Sequence, residues 1–333
     1  MKTIGLGIIG LGYVGTIHLQ HNRHLGNARY VAASDVSKRA LRKAKESGVK
    51  KTYASYQELL RDPEVEGVVI ALPTHLHLQC AKEAAEAHKH IFLEKPIAKN
   101  VDEAKEIISV SRRNSVKLMI GYPMRFRTDF RRLKYEIDSG ALGDVEIAQA
   151  TYISNGPFFH RAESHSPVPV PEWWFNKELT GGGALMDIGS HLINLLRWYL
   201  GEIENIKSWL GYRLNMDLED SAICLADFES GTRAVISTGW FSQSYSLEIK
   251  LCGTTKHITS KEIRQNPLVT AIQKLTTGTT RFHQPHLSEM QYFVNCLASD
   301  ISPSPSGEDG LRDLEAISLA YKNQIDLRDL HSH

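Results

Sequence analysis

One six-residue stretch, Gly10-Leu11-Gly12-Tyr13-Val14-Gly15, limits the fold more than any other part of the 333-residue chain. It follows an apolar, β-branched run at 3–9 and opens a helix-period segment at 14–25, so it reads as a G-x-G-x-x-G turn between a first strand and a first helix. In such a turn the first glycine permits a tight bend, the second lets a pyrophosphate approach the backbone, and the third lets helix and strand pack closely. The helix N-terminus then offers amide donors and partial positive charge to the phosphates. Asp35 stands 20 residues beyond Gly15, at the end of a second apolar run. A carboxylate there accepts hydrogen bonds from both adenosine-ribose hydroxyls and meets a ribose 2′-phosphate as a like charge. NAD is therefore the expected cofactor. Because Ser37, Lys38 and Arg39 follow at once, NADP stays an alternative.

The strand–helix alternation continues to residue 122. Short buried strands are expected at 3–9, 29–34, 67–72, 90–93 and 117–120, with helices at 14–25, 37–47, 76–87 and 101–113 between them, Ser37 and Asn100 or Asp102 serving as caps. Near-continuous apolar strands separated by helices imply a parallel, doubly wound sheet. After Gly121 the texture changes. A helix is expected at 125–139, then long alternating strands at 145–154, 203–214, 221–228, 232–241, 247–252 and 257–260, and closing helices at 286–298 and 311–326. The expected fold is α/β: a Rossmann domain over residues 1–122, then an α+β domain with an open, mostly antiparallel sheet over 123–330.

Composition narrows the function. The charge sum, 39 − 38 = +1, is too balanced for a nucleic-acid binder or a membrane-surface protein. No apolar run reaches the roughly 18 residues a membrane helix needs. The four cysteines, Cys80, Cys224, Cys252 and Cys296, form no C-x-x-C pair and read as reduced thiols, which with the absence of a cleavable leader pattern near Arg23 implies a cytoplasmic protein. His75 and His77 imitate metal ligands, as do His160, His165, His283 and His286, but no carboxylate or cysteine at suitable spacing completes a set, and no metal is expected.

Four blocks occur in order: Gly10 to Gly15, Ala71-Leu72-Pro73-Thr74-His75-Leu76-His77, Glu94-Lys95-Pro96, and Gly181-Gly182-Gly183-Ala184-Leu185-Met186-Asp187-Ile188-Gly189-Ser190-His191. With them the chain resembles, over nearly its whole length, the glucose–fructose oxidoreductase / inositol dehydrogenase / rhizopine-catabolism (Gfo/Idh/MocA) family. The resemblance implies hydride transfer between a nicotinamide and a secondary alcohol of a sugar, polyol or sugar nucleotide. It also implies that Leu72, Pro73 and His77 lie along the cofactor, that the Lys95–Pro96 bond is cis, and that copies pair through the C-terminal sheet into dimers or tetramers. Many members carry a second aspartate three residues after the motif histidine, where this chain has Asn194. An NAD-dependent glycosidase or lyase working by transient oxidation, and a non-catalytic nucleotide-sensing regulator, are the alternatives on the same scaffold.

Oxidising a secondary alcohol removes the hydroxyl proton as hydride leaves carbon, so a base must touch that oxygen and a positive group must stabilise the developing alkoxide. Lys95 follows an expected strand at the carboxyl edge of the sheet, where cofactors sit in doubly wound folds, and is the candidate to contact the alcohol. Glu94 is expected to help hold the cofactor ribose. Asp187 and His191, spaced i, i+4, project from one face of a helix, where a carboxylate orients an imidazole tautomer. This permits His191 as proton acceptor, Asp187 as its orienter and Lys95 as electrostatic partner; the structural alternative is a capped, buried pair. The glycines at 181–183 are expected to let this helix start lie close against the cofactor or its domain. The proline- and aromatic-rich stretch 155–176 offers Trp173 and Trp174 to a sugar face, with Arg125, Arg161 and Lys177 for its hydroxyls or an acidic group; anchoring of the loop into the core is the alternative.

Overall fold

The computed structural model describes residues 3–158, 170–214, 216–261 and 284–325. The stretch 159–169, which carries His160, Arg161 and His165, lies outside the described residues, as does His283. The chain forms two compact units.

The first unit holds a six-stranded parallel sheet built from β1 (Ile4–Ile9), β2 (Ala28–Ser34), β3 (Lys51–Tyr53), β4 (Gly67–Ile70), β5 (His90–Glu94) and β6 (Leu118–Gly121). Their order, β3-β2-β1-β4-β5-β6, reverses direction beside β1, the point where doubly wound sheets bind nucleotides. All residues of β1 and of β4 are buried, as strands covered by helices on both faces require. The helices are α1 (Tyr13–Gln20), α2 (Lys38–Glu46), α3 (Tyr56–Leu60), α4 (His77–Glu86) and α5 (Val101–Arg113). Strand β3 and helix α3 were not expected; at three and five residues they are too short to carry a period. Helix α1 stops five residues before its expected end. There Asn22 turns inward and its Oδ1 accepts the Tyr30 N–H at 2.8 Å, which ties the chain to β2.

The contacts do not divide at 122/123. Residues 123–126 and 284–311 group with the first unit. The reason is packing: α9 (Gln284–Ala298) contributes Met290, Phe293 and Val294 to the same core as Leu6, Ile8 and Phe92.

The second unit holds α6 (Thr128–Asp138), α7 (Lys177–Thr180), α8 (Ser190–Leu200) and a sheet of β7 (Val145–Ile153), β8 (Ile203–Gly211), β9 (Ser221–Phe228), β10 (Arg233–Gly239), β11 (Ser246–Gly253) and β12 (His257–Thr259). Its order is β12-β11-β7-β10-β9-β8, antiparallel throughout except for the parallel β7–β10 pair. Strand β9 alternates strictly. Ala222, Cys224, Ala226 and Phe228 are buried, while Ile223 and Leu225 stand on the outer face at 41% and 53% exposure. The last helix, α10 (Gly307–Lys322), starts four residues earlier than expected, because Ser306 and Asp309 cap it reciprocally: Ser306 N donates to Asp309 Oδ2 at 2.7 Å and Asp309 N to Ser306 Oγ at 3.2 Å.

Candidate active site

The glycine turn is shaped by what has no room beside it. Gly10 has φ +90°, and a Cβ there would lie 2.4 Å from the Ala71 carbonyl oxygen. A Cβ on Gly15 would lie 2.0 Å from the Gly10 oxygen, so the third glycine is set by the approach of α1 to the turn. Gly12 differs: it is exposed, and nothing lies within 4 Å of its Cβ position. It precedes α1, which has no side-chain cap and no acidic residue in its first turn. A helix N-terminus with no side-chain cap and open space over Gly12 is what a pyrophosphate requires, and the donor set fits NAD. Leu11 is buried, Val14 half-buried and Tyr13 exposed along the same turn.

Asp35 does more than expected. Its Oδ2 accepts the Leu11 N–H and its Oδ1 the Ser37 N–H, both at 2.7 Å. The carboxylate thus braces the glycine turn and keeps acceptor capacity for two ribose hydroxyls. Ser37 caps α2 through its hydroxyl, which accepts the Ala40 N–H at 3.3 Å.

After β4, Pro73 leads into a 3₁₀ turn, Thr74–Leu76, and α4. His77 is buried and points inward. Its Nε2 lies 2.9 Å from the Leu72 oxygen and its Nδ1 3.0 Å from the Pro96 oxygen. Burial lowers its pKa, and the carbonyl contacts oppose that shift. His77 therefore ties the loop after β4 to the turn at Lys95, whose bond to Pro96 is cis. Lys95 itself is half-buried.

Glu94 is not placed as a ribose ligand. The pleat sends its side chain into the core, where Oε1 meets Nε2 of His18 at 2.7 Å. Burial works to raise the Glu94 carboxyl, but the His18 hydrogen bond and the charges of His18, His286 and Lys95 outweigh it and hold the carboxyl low. Glu289 of α9 stands beside this pair, fully buried, with neither carboxylate oxygen hydrogen-bonded among the described residues; burial and then the charge of Glu94 push its pKa well up. Ligand atoms of His18, Glu94 and Glu289 all lie within 4.8 Å of one another. The 2.7 Å separation of His18 and Glu94 is that of a direct hydrogen bond, shorter than the roughly 3 Å between neighbouring ligands on an ion with bonds of about 2.1 Å.

In the second unit, Asp187 lies within one π-helical turn, Leu185–Gly189, that runs into α8, whose second residue is His191. An i, i+4 spacing remains near one turn in this wider winding, and such turns concentrate at functional sites. Asp187 is half-buried and His191 buried at 8% exposure. Tyr152, on β7, lies beside His191 with ring centroids 6.3 Å apart, and its hydroxyl is pushed well up by burial, then by Tyr245 and the charge of Asp187. Tyr152 shares a hydrogen bond with Tyr245, Tyr245 another with Arg127, and the Arg127 guanidinium pairs with Asp129 at 3.0 and 2.6 Å. Tyr152, Tyr245 and Arg127 were not anticipated. The inward alternation of 145–154 is the one signal that could have found Tyr152.

Gly182 and Gly183 make room within their own unit: a Cβ on the first would lie 2.1 Å from the Tyr321 hydroxyl, and on the second 2.0 Å from the Glu219 carbonyl oxygen. Arg125 is buried, with its guanidinium 3.3 Å from Asp309 and 3.5 Å from Ser304, so it is an internal tie and not a group presented to substrate. Trp174 packs against Ala184, Ile188 and Trp240, which makes it an anchor under the π turn, and Trp173 lies beside it with ring centroids 5.0 Å apart. Asn194 has a partner that explains it. Its Nδ2 donates to Asp313 Oδ2 at 2.6 Å, and Arg197 takes the other Asp313 oxygen.

The glycine turn at the head of α1 fits a dinucleotide, and in the second unit Asp187 and His191 stand four residues apart. Residues 4–122 match the oxidoreductase family with an NAD-binding Rossmann fold, and residues 130–259 match the GFO/IDH/MocA C-terminal domain. The chain belongs to the Gfo/Idh/MocA family and is an oxidoreductase with an NAD-binding Rossmann domain. It is 27% identical to the myo-inositol 2-dehydrogenase of Thermotoga maritima, over 98% of this chain and 97% of that protein. It is 29% identical to the D-xylose 1-dehydrogenase (NADP⁺) of Haloarcula marismortui, over 81% and 76%. The structure of scyllo-inositol dehydrogenase from Lactobacillus casei, with NAD(H) and scyllo-inositol bound, superimposes with a TM-score of 0.82 at 25% identity, over 97% of each chain. No helix among the described residues is long and apolar enough to cross a membrane.

Proposed function

We propose that this enzyme oxidises one secondary alcohol of a cyclitol or sugar, with NAD preferred over NADP. NAD, when bound, supplies the hydride acceptor. Gly10, Gly12 and Gly15 admit the pyrophosphate, the α1 amides bind it, and Asp35 accepts the ribose hydroxyls. His191 takes the alcohol proton, Asp187 orients the imidazole, and Lys95 stabilises the alkoxide oxygen. The observation that carries this reading is the placement of Asp187 in a π turn that runs directly into the next helix, where His191 is the second residue and its ring lies 6.3 Å from that of Tyr152. The relatives act on inositols and xylose, which supports a neutral polyhydroxylated substrate.

The test is NADH formation across cyclitols, aldoses and nucleotide sugars, followed by two variants. His191→Ala and Lys95→Ala should each lower turnover at least about 100-fold, the usual scale for acid–base groups. NAD affinity should hold in the first and fall somewhat in the second. A well-folded His191→Ala enzyme with near-parental turnover would leave the pair architectural. Substrate loss without net NADH would point to the glycosidase or lyase reading instead.

We further propose that two copies pair through the outer face of the second unit's sheet. Cross-strand neighbours Trp209 and Ile223, then Leu225 and Val235, form an apolar band there, with Trp209 at 48% exposure. Such a band on one sheet face favours a covering partner. Light scattering giving the monomer mass of 37.4 kDa at micromolar protein would refute it.

A further inference from the structure

We propose that Glu219, with Tyr321 behind it, is a positioning residue for the Asp187–His191 pair. The proposal rests on the reading of that pair as the proton-transfer machinery. It is carried by one local fact: a single residue captures three consecutive backbone amides at the head of the turn that bears Asp187 and runs into the helix of His191. Glu219 Oε1 accepts the Gly183 N–H at 2.9 Å and the Leu185 N–H at 3.1 Å, and Oε2 lies 3.0 Å from Gly183 N. Between them, Ala184 N donates to the Glu219 backbone oxygen at 3.0 Å.

The capture reaches Asp187 through one peptide unit. The peptide joining Gly183 to Ala184 accepts the Asp187 N–H on its carbonyl at 2.9 Å and donates its own N–H to the Glu219 backbone oxygen, while the Glu219 carboxylate holds the Gly183 and Leu185 N–H groups on either side of it. The carboxylate thus fixes the start of the π turn through the residues that flank the peptide bonded to Asp187 N. From the sheet side Thr238 Oγ1 donates to the Ala184 oxygen at 3.3 Å, and from behind the Tyr321 hydroxyl donates to Glu219 Oε1 at 2.7 Å. Glu219 is 2% exposed, so its three side-chain donors stand in for water. Glu219 begins no expected strand and belongs to no motif block, and the glycines at 182–183 are the vacancies that admit it and Tyr321.

The experiment compares Glu219→Ala, Glu219→Gln and Tyr321→Phe with the parent and with His191→Ala. It uses the full-length enzyme, NAD and the fastest alcohol of the substrate screen, and hydrogen–deuterium exchange over residues 181–190. Glu219→Ala should lower kcat roughly tenfold to a hundredfold, the scale of a small misplacement of catalytic groups. NAD affinity and exchange at the glycine turn 10–15 should stay parental while exchange at 181–190 rises. Glu219→Gln, which keeps one acceptor oxygen for the amides, should recover most of the turnover, and Tyr321→Phe should fall between. Parental kcat in folded Glu219→Ala, or a loss of kcat matched by a loss of NAD affinity, overturns the proposal. If Glu219→Ala does not fold, Tyr321→Phe, which removes the donor behind Glu219 Oε1, decides it: parental exchange at 181–190 together with parental kcat is the refuting result. His191→Ala separates the two claims. Full turnover in that variant removes the acid–base reading, whereas an inactive His191→Ala beside a fully active Glu219→Ala removes only the positioning role.

Discussion

Alanine at Gly12 should weaken nucleotide binding without weakening the fold, and alanine at Gly15 should do the reverse in the apoprotein. Gly12 has φ −66° and ψ −158°, extended backbone that alanine adopts, and the space outside its Cβ position is open. The substitution gains about 0.4–1 kcal/mol by restricting the unfolded chain. It gives up a glycine N-cap, a preference of roughly the same size. The apoprotein melt should therefore move by no more than about 2 °C. The added methyl stands over the α1 amides and holds a pyrophosphate away from them. Losing one charge-assisted hydrogen bond, about 1.5–3 kcal/mol, corresponds to a fall in NAD affinity of roughly tenfold to a hundredfold. On Gly15 the same methyl would sit 2.0 Å from the Gly10 oxygen, so backbone must shift, at a cost of about 1–3 kcal/mol. Titration calorimetry with NAD and thermal melts of both apoproteins measure the two effects separately. If Gly12→Ala binds NAD as tightly as the parent, the cradle does not hold the pyrophosphate. If it melts as low as Gly15→Ala, the space is not open.

Calorimetry with both cofactors should find NAD bound more tightly than NADP, and equal affinity would mean that Lys38 and Arg39, not Asp35, govern the ribose pocket. Glu289 has a folded pKa above its unfolded value, so the folded state holds the extra proton and stability falls as pH rises from about 4.5 toward that folded value, by up to about 1.4 kcal/mol per pH unit. Glu289→Gln should match the parent in urea melts at pH 5 and exceed it at pH 8; a difference independent of pH would refute the neutral buried acid. Asn194→Asp should cost roughly 3–5 kcal/mol by setting a second carboxylate against buried Asp313, and Asp313→Asn in the same chain should restore most of it. An unperturbed denaturation midpoint in Asn194→Asp would remove Asp313 as the reason for the asparagine.

Wherever a feature depends on neighbours in the chain, the sequence by itself determined it. The alternation of apolar strands with helix-period segments placed the parallel sheet, because burial of both faces of a strand shows directly in its composition. Helix α5 and strand β9 fall at their expected bounds. The glycine turn was equally legible, since φ +90° at Gly10 and the close approach at Gly15 are backbone sterics within a few residues. The start of α10 was expected at 311 and lies at Gly307, although Ser306 and Asp309 carry a signal of the same local kind.

Tertiary structure alone decided what depends on partners far away in the chain. Glu94 became a buried partner of His18, 76 positions earlier, and Arg125 an internal tie to Asp309, 184 positions later. Residues 284–311 joined the first unit because Met290 and Phe293 complete a core begun by β1. The surroundings of Asp187 and His191 were settled the same way, by Tyr152 from β7 and by Glu219 at the head of β9. A polar side chain at a strand end carries no mark of which way it will bond. A carboxylate near a sheet edge serves equally as a ligand for ribose or for a buried histidine, and the choice falls only when folding removes water and leaves one partner within reach.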